Sequence, residues 1–119
     1  MAFDVAGYEQ LAEVLEAAYH QAARGKGAER HADGLPFHEQ PMQTGSDLLG
    51  TDAGLAFQAI KKIREGRKFE EFDRLERELL GAIVYVAGMI IWNRRQRTGA
   101  VAPLPAILNP GRPAALGDR

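Results

Sequence analysis

One apolar run constrains the fold of this chain more than any other part of the sequence. Residues 79–92 read LLGAIVYVAGMIIW and contain no charged side chain. A membrane-spanning helix needs about 20 apolar residues, so these 14 residues are too few to cross a bilayer. A helix that is apolar on every side must be covered on nearly every side, so the run predicts a buried helix.

The sequence around this run predicts one long helix from about Lys68 to Arg95. Apolar residues recur there at alternating three- and four-residue steps, which places them on one helix face. Because three helices of one chain can hardly cover the apolar half of this helix, we expect a helical homo-oligomer. The predicted stripe consists of Phe72, Leu75, Leu79, Ala82, Val86 and Met89, and the small residues that would admit another helix are Gly81, Ala82, Ala87 and Gly88.

Two further helices are predicted upstream. The first is expected from about Val5 to Ala23, because apolar residues repeat at helical spacing and Gly25 provides a C-terminal stop. The second is expected to begin near Thr51 or Asp52 and to stop at Gly66. The predicted buried faces are Leu11, Val14, Leu15, Ala18 and Ala22 in the first helix, and Ala56, Ile60 and Ile63 with the adjoining Phe57 in the second.

The composition fits a single all-α domain followed by a proline-rich tail. A chain of 119 residues is too short to form two domains with separate cores. We expect a helical domain at residues 1–97 and an extended tail at residues 98–119, which contain four of the six prolines. The N-terminus has no signal-peptide pattern and the chain has no cysteine, so a cytoplasmic protein is expected. The net charge of −1 argues against general DNA binding, and no membrane partner is expected.

Residues 25–50 break the helical pattern and form the candidate functional segment. They read GKGAERHADGLPFHEQPMQTGSDLLG, with five glycines, two prolines and two histidines. Loops of this length are uncommon inside compact domains and are often functional. A short helix from Met42 to Leu49 is expected within the segment.

The first half of this segment has the composition of a site for an anion. Glycines let backbone N–H groups approach a phosphate, and Lys26, Arg30 and His31 supply charge-assisted donors. Phe37 and His38 can stack on a base or donate to a second phosphate. The Walker motif GxxxxGK[ST] is absent. The competing interpretation is a helix-terminating glycine followed by a solvated turn.

Acidic residues on two of the predicted helices raise a metal-dependent alternative. Glu13 and Glu16 form an ExxE pair, and Glu70 and Asp73 form an ExxD pair. Facing carboxylate pairs can bind Mg²⁺ and support hydrolysis of a nucleoside triphosphate. At about 100° per residue, however, both pairs point away from the predicted apolar stripes. That geometry favours exposed acids near helix N-termini.

Two other polar groups are interpreted as ordinary surface features. His20, His31 and His38 match no closed zinc signature, so roles as polar side chains are favoured over metal binding. Residues 93–97 form a basic end to the long helix, which complements the helix dipole. The alternative for this basic end is a set of arginines that reaches the phosphate site of a neighbouring subunit.

A resemblance to a group of small bacteriophage proteins is carried by three stretches, GKGAERHADGLPFHEQPM, AFQAIKKI and ERELLGAIVYVAGMIIW. It covers about Leu15 to Trp92. More distantly, the helix pattern is similar to the all-α nucleotide pyrophosphohydrolases of the MazG type, which bind magnesium through an ExxE pair and a later ExxD pair. This similarity implies that residues 13 and 16 match the first motif and residues 70 and 73 the second.

Three functional hypotheses follow. The leading one is an oligomeric protein, not an enzyme and without a cofactor, that binds and sequesters a phosphate-bearing nucleotide. The phage resemblance implies a nucleotide immune signal, such as a cyclic oligonucleotide, in the host cytoplasm. The alternatives are a Mg²⁺-dependent nucleoside triphosphate pyrophosphohydrolase and an inhibitor that binds a protein through its apolar helix and proline-rich tail.

Overall fold

The computed structural model describes residues 3–24 and 35–98, and every regular element in those two ranges is helical. A 3₁₀ turn at Phe37–Glu39 leads into the second of four α-helices. The all-α prediction is confirmed: the first, third and fourth helices are the three main helices expected from the sequence. The four are α1 (Glu9–Arg24), α2 (Pro41–Leu49), α3 (Ala53–Gly66) and α4 (Phe72–Thr98).

The long helix α4 ends at Thr98, one residue beyond the predicted limit of the helical domain. The predicted extended tail, from residue 99 onward, lies outside the described residues. Within the described ranges, no helix is long and apolar enough to span a membrane.

Helix α1 begins at Glu9 and not at Val5, so the predicted start is wrong. The cause is Gly7, whose φ of 89° lies in the left-handed region and cannot continue a right-handed helix. The N–H group of Gly7 donates to both carboxylate oxygens of Glu9, at 3.1 and 3.3 Å. This carboxylate also places negative charge at the positive end of the helix dipole.

Helix α2 confirms the short helix predicted inside the glycine-rich segment. Pro41 stands at its first position, where the missing N–H group costs nothing because it would have no partner within the helix. Gly50 ends the helix with a φ of 73°, and its N–H group donates to the carbonyl of Ser46 at 2.8 Å. Proline at the start and glycine at the end therefore fix both limits of α2.

Helices α3 and α4 form an antiparallel pair that is the centre of the fold. At one end, a Cβ atom on Gly66 would lie 3.0 Å from Cβ of Glu78, so the two helices approach closely there. At the other end, Asn93 Nδ2 donates to Asp52 Oδ2 at 2.7 Å. The start of each helix is thus beside the end of the other. Helix α4 starts at Phe72, later than predicted, because residues 67–69 form a tight turn.

The predicted buried faces are wrong at several positions. In α3 the residues buried against the rest of the fold are Leu55 and Ala59, whereas Ile60 is 57% exposed. Ile60 is one position past Ala59, about 100° around the helix, so it faces outward. Spacing alone does not show which side of an apolar helix receives its neighbour. The same holds for Leu11, Val14 and Leu15 in α1, Phe57 and Ile63 in α3, and Phe72, Leu79 and Val86 in α4, all of which are exposed.

Two of the small residues in α4 accommodate helices of the same chain. A Cβ atom on Gly88 would collide with the sulfur of Met42 in α2. A Cβ atom on Gly81 would lie 3.3 Å from Cδ of Lys62 in α3. These glycines therefore admit α2 and α3, and the expectation that they serve contact with a second molecule is corrected.

Candidate functional site

A cleft of about 950 Å³ lies between all four helices and is the candidate functional site. Its lining combines apolar, amide, charged and aromatic side chains. Apolar residues form part of the wall, among them Met42, Leu55 and Val84. The side chains that can recognise a ligand are the amides Gln21, Gln40 and Gln58, the charged groups Lys62, Arg77 and Glu78, and the aromatic rings Phe37 and Tyr85.

The side chain of Lys62 in α3 lies across Gly81 of α4, and this contact positions it. Its Cδ and Cε atoms lie 3.3 and 3.4 Å from the place that a Cβ atom on Gly81 would occupy. The ammonium nitrogen then lies 3.4 Å from Oε1 of Glu78, one turn away on the same helix as Gly81. The two charged side chains are 36% and 26% exposed, so the pair is reachable from the cleft.

Two of the three cleft amides also hold the walls together. Gln21 Nε2 donates to the backbone carbonyl of Arg77 at 3.1 Å and ties the last turns of α1 to α4. Gln40 Nε2 donates to the carbonyl of Leu35 at 2.9 Å and closes the turn before α2. Each side chain still carries an amide oxygen that can accept a hydrogen bond.

Of the residues predicted to bind a ligand, one lines the cleft, one lies away from it, and three lie outside the described residues. Phe37 lines the cleft and is half-buried. His38 is exposed, does not line the cleft, and has its Nε2 atom 3.5 Å from a carboxylate oxygen of Glu39. Lys26, Arg30 and His31 lie outside the described residues.

The part of the chain that carries these three residues is nevertheless joined to the cleft at both ends. Ala22 lines the cleft three residues before position 25. Phe37 lines it three residues after position 34. In the sequence, residues 25–34 thus link two elements that line the cleft.

The acidic pairs of the metal-dependent alternative do not contribute to the cleft. Glu13 and Glu16 are exposed on α1, Glu70 is exposed in the turn before α4, and Asp73 is exposed in the first turn of α4. None of the four lines the cleft. Among residues 3–24 and 35–98, no three His, Asp or Glu side chains are grouped so that they could hold a metal ion. His20 is likewise exposed, with Nδ1 3.2 Å from Arg24 Nη1.

Sequence reasoning missed a polar network that fastens α2 to α4. The fully buried Gln43 donates from Nε2 to the carbonyl of Gly88 at 2.8 Å. Arg95 donates to Oε1 of Gln43 and to Oδ2 of Asp47, each at 2.8 Å. Trp92 Nε1 donates to the other carboxylate oxygen of Asp47 at 3.0 Å. The network explains how polar residues come to be buried beside the apolar part of α4.

This network corrects the interpretation of Arg95 in the basic end of α4. Arg95 is engaged within the chain by two side chains of α2, so it is not a purely solvated charge. A sequence signal did exist: Gln43 and Asp47 are four residues apart, and Trp92 and Arg95 are three apart. Each pair therefore lies on one face of its helix, but nothing in the sequence shows that the two faces meet.

The resemblances noted from the sequence stay predictions. No protein-family model matches the chain, and comparisons with curated proteins and with solved structures found no similar protein.

Proposed function

We propose that this protein binds and sequesters a phosphate-bearing nucleotide in the cleft between the four helices without changing it chemically. The observation that carries the proposal is the combination of size and lining. Small-molecule sites have volumes of about 300–1,000 Å³, and the cleft measures about 950 Å³. Apolar walls with a few convergent polar groups are typical of such sites.

The charges of the cleft favour an anionic ligand. Lys62 and Arg77 are cationic, and Glu78 is the single carboxylate among the described lining residues. Lys62 lies within ion-pair distance of Glu78, which orients its ammonium group. A phosphate would compete with Glu78 for Lys62 and would gain charge-assisted hydrogen bonds from Arg77.

The uncharged lining suits a base and a sugar. Phe37 and Tyr85 provide aromatic surface against which a base can pack. The amides of Gln21, Gln40 and Gln58 each offer both donor and acceptor atoms, which matches the mixed edges of a nucleobase. Lys26, Arg30 and His31, in the segment joined to the cleft at both ends, would add donors for phosphate.

The lining also supports binding over turnover. A magnesium-dependent pyrophosphohydrolase needs several carboxylates around its metal. In the described lining, Glu78 is directed at Lys62, and the two acidic pairs that resemble the MazG motifs lie elsewhere on the surface. A protein that holds a nucleotide in this way can lower the concentration of a signal. The phage resemblance favours an immune signal such as a cyclic oligonucleotide as the sequestered nucleotide.

Nucleotide binding is expected to raise the melting temperature of the full-length protein. The experiment uses a panel of mono-, di-, tri- and cyclic nucleotides with and without Mg²⁺. A ligand present at one hundred times its Kd stabilises the folded state by about 2.7 kcal/mol. The double variant Lys62→Ala/Arg77→Ala should lose the shift, because it removes both cleft cations. The control is Lys61→Ala/Lys68→Ala, which removes two exposed cations that do not line the cleft.

The ligand is then recovered from the mixture and analysed. Unchanged nucleotide supports sequestration, whereas cleaved nucleotide would make the protein an enzyme. A shift that survives in Lys62→Ala/Arg77→Ala would place the ligand somewhere other than the cleft. No shift with any nucleotide contradicts the proposal.

A second double variant tests the predicted basic segment separately. Lys26→Ala/Arg30→Ala should abolish the nucleotide-induced shift while leaving the melting temperature of the unliganded protein unchanged. The reason is that both residues are proposed to donate to phosphate. Isothermal titration of wild type and variant with the best nucleotide of the panel measures the loss directly. Equal affinities would remove these two residues from the site.

A second candidate function is binding to another protein through α1. Three apolar residues of the stripe predicted to be buried, Leu11, Val14 and Leu15, are between about one-third and one-half exposed. Tyr8, directly before this helix, and Tyr19 within it are about 60% exposed, and tyrosine is enriched in protein interfaces. If no nucleotide shifts the melting temperature, capture of a host protein that depends on Leu11 and Val14 becomes the test of this candidate.

A further inference from the structure

The antiparallel pair of α3 and α4 carries an apolar surface on the side opposite the cleft. Lys62 of α3 lines the cleft, and Ile60 lies about 160° around the same helix from it. Gly81 of α4 lines the cleft, and Val86 lies about 140° around from it. The surface, here called the outer face, consists of Phe57, Ile60 and Ile63 on α3 with Leu79, Val86 and Ile90 on α4.

The two rows of the outer face are continuous. Gly66 lies beside Glu78, and Asp52 is bonded to Asn93. This register sets Ile63 near the level of Leu79 and Phe57 near the level of Val86 and Ile90. The six side chains are 38–62% exposed and form one apolar surface. Contiguous exposed apolar surfaces are typical of protein–protein contact sites.

Charged residues along the edges of the outer face identify its occupant. At the end where α3 finishes and α4 starts, the edge of α3 carries Arg64 and Arg67, both exposed. At the same end, the edge of α4 carries Asp73 and Glu76, also exposed. At this end of the helix pair, one edge is basic and the other is acidic, so this end of the face is complementary to the same end of a second copy turned by a half rotation.

We infer that the outer face binds the outer face of a second copy of this chain, forming an antiparallel four-helix bundle around a two-fold axis parallel to the helices. The rotation places α3 of one copy on α4 of the other. Ile60 of one copy then packs against Val86 of the other in a dry centre, as in bundle cores. The basic edge of each copy then lies along the acidic edge of its partner, once on each side of the two-fold axis.

The alternative two-fold axis, perpendicular to the helices, is disfavoured by the same charges. It would place α3 of one copy on α3 of the other, and α4 on α4. The basic edge on α3 would then lie beside α3 of the partner, away from the partner's acidic edge on α4. Attraction between opposite charges selects register more than it adds affinity, and here it selects the arrangement of α3 against α4.

The test is the mass of the full-length protein in solution, measured by sedimentation equilibrium from micromolar to millimolar concentration. Wild type should have twice the 13.0 kDa mass of one chain. Ile60→Glu should be monomeric, because it places a charge in the dry centre of the interface. The control Leu48→Glu changes a residue of α2 that is 83% exposed and lies off the outer face, and it should remain dimeric.

Charge reversal tests the register. Arg64→Glu/Arg67→Glu and Asp73→Arg/Glu76→Arg should each raise the dimer Kd by roughly tenfold or more. The protein that carries all four changes should recover most of the wild-type affinity. Far-UV circular dichroism and the melting temperature show that each variant is folded.

Each result decides the inference. A monomeric wild type, or a dimer that Ile60→Glu leaves intact, would overturn it. If the wild type is monomeric and Ile60→Glu lowers the melting temperature, the outer face is covered by another segment of the same chain. That result would also overturn the inference. The cleft lies on the other side of the helix pair, so monomeric Ile60→Glu should keep the nucleotide-induced shift. Loss of dimerisation and loss of nucleotide binding can therefore be told apart.

Discussion

Replacing Trp92 with alanine is expected to lower the free energy of unfolding by about 3–5 kcal/mol, the usual range for a large buried aromatic residue. Trp92 is 1% exposed and is the largest fully buried side chain among the described residues. Its indole nitrogen also donates to Asp47. The alanine variant removes the ring, leaves a cavity between α2 and α4, and deprives the carboxylate of a donor.

Urea denaturation followed by far-UV circular dichroism measures this loss, and Trp92→Phe divides it into two parts. Phenylalanine keeps most of the buried ring but cannot donate to Asp47. Its expected cost is about 1–2 kcal/mol, close to that of one hydrogen bond in a partly buried site. A Trp92→Ala variant that loses less than the phenylalanine variant would show that Trp92 is not a packing residue.

Replacing Arg95 with methionine is expected to cost about 2–3 kcal/mol. Methionine retains the apolar stem of the side chain and removes the guanidinium group. Gln43 and Asp47 then each lose a donor that lies 2.8 Å away. Gln43 is fully buried, so water cannot replace the lost donor without opening the contact between α2 and α4.

A double-mutant cycle with Asp47→Asn isolates the ion pair from the rest of the change. Both side chains of this pair are largely buried, at 15% and 22% exposure, so a coupling of about 1–3 kcal/mol is expected. The control is Arg94→Met, because Arg94 is exposed on the same helix one position away. Equal losses for Arg94→Met and Arg95→Met would contradict the role of the network.

Local sequence signals were sufficient to predict the order of the helices and most of their limits. Gly66 and Asp52 bracket α3 as expected, because glycine disfavours continuation and aspartate commonly precedes a first turn. Pro41 and Gly50 limit α2 for equally local reasons. The start of α1 was mispredicted because the apolar pattern runs through Gly7, whose positive φ is not visible in a pattern of hydrophobicity.

The orientation of the helices could not be predicted from the same signals. Apolar residues occur on both sides of α3, so periodicity alone did not distinguish Ala59, which is buried, from Ile60, which is exposed. The smaller residue lies against α4 because a close approach of two helices requires small side chains at the contact. The bulkier apolar residues of α3 lie on the outer face, although the sequence predicts that they are buried.

The candidate site was predictable only where its residues were close in sequence. Phe37 was expected from the glycine-rich segment and does line the cleft. Lys62 and Arg77 were missed, since each lies among other charged residues on a helix and resembles an ordinary solvated side chain. Their proximity depends on how α3 and α4 pair, which is a long-range property of the fold.

The passage of Lys62 over Gly81 has an entropic consequence for any ligand of the cleft. A lysine side chain that is free to rotate loses about 2 kcal/mol of rotamer entropy when it is fixed. Here the stem is confined between two helices and the ammonium group is directed by Glu78 before a ligand arrives. Much of that loss therefore accompanies folding and not binding. A phosphate that meets an already ordered ammonium group retains more of its interaction energy as affinity.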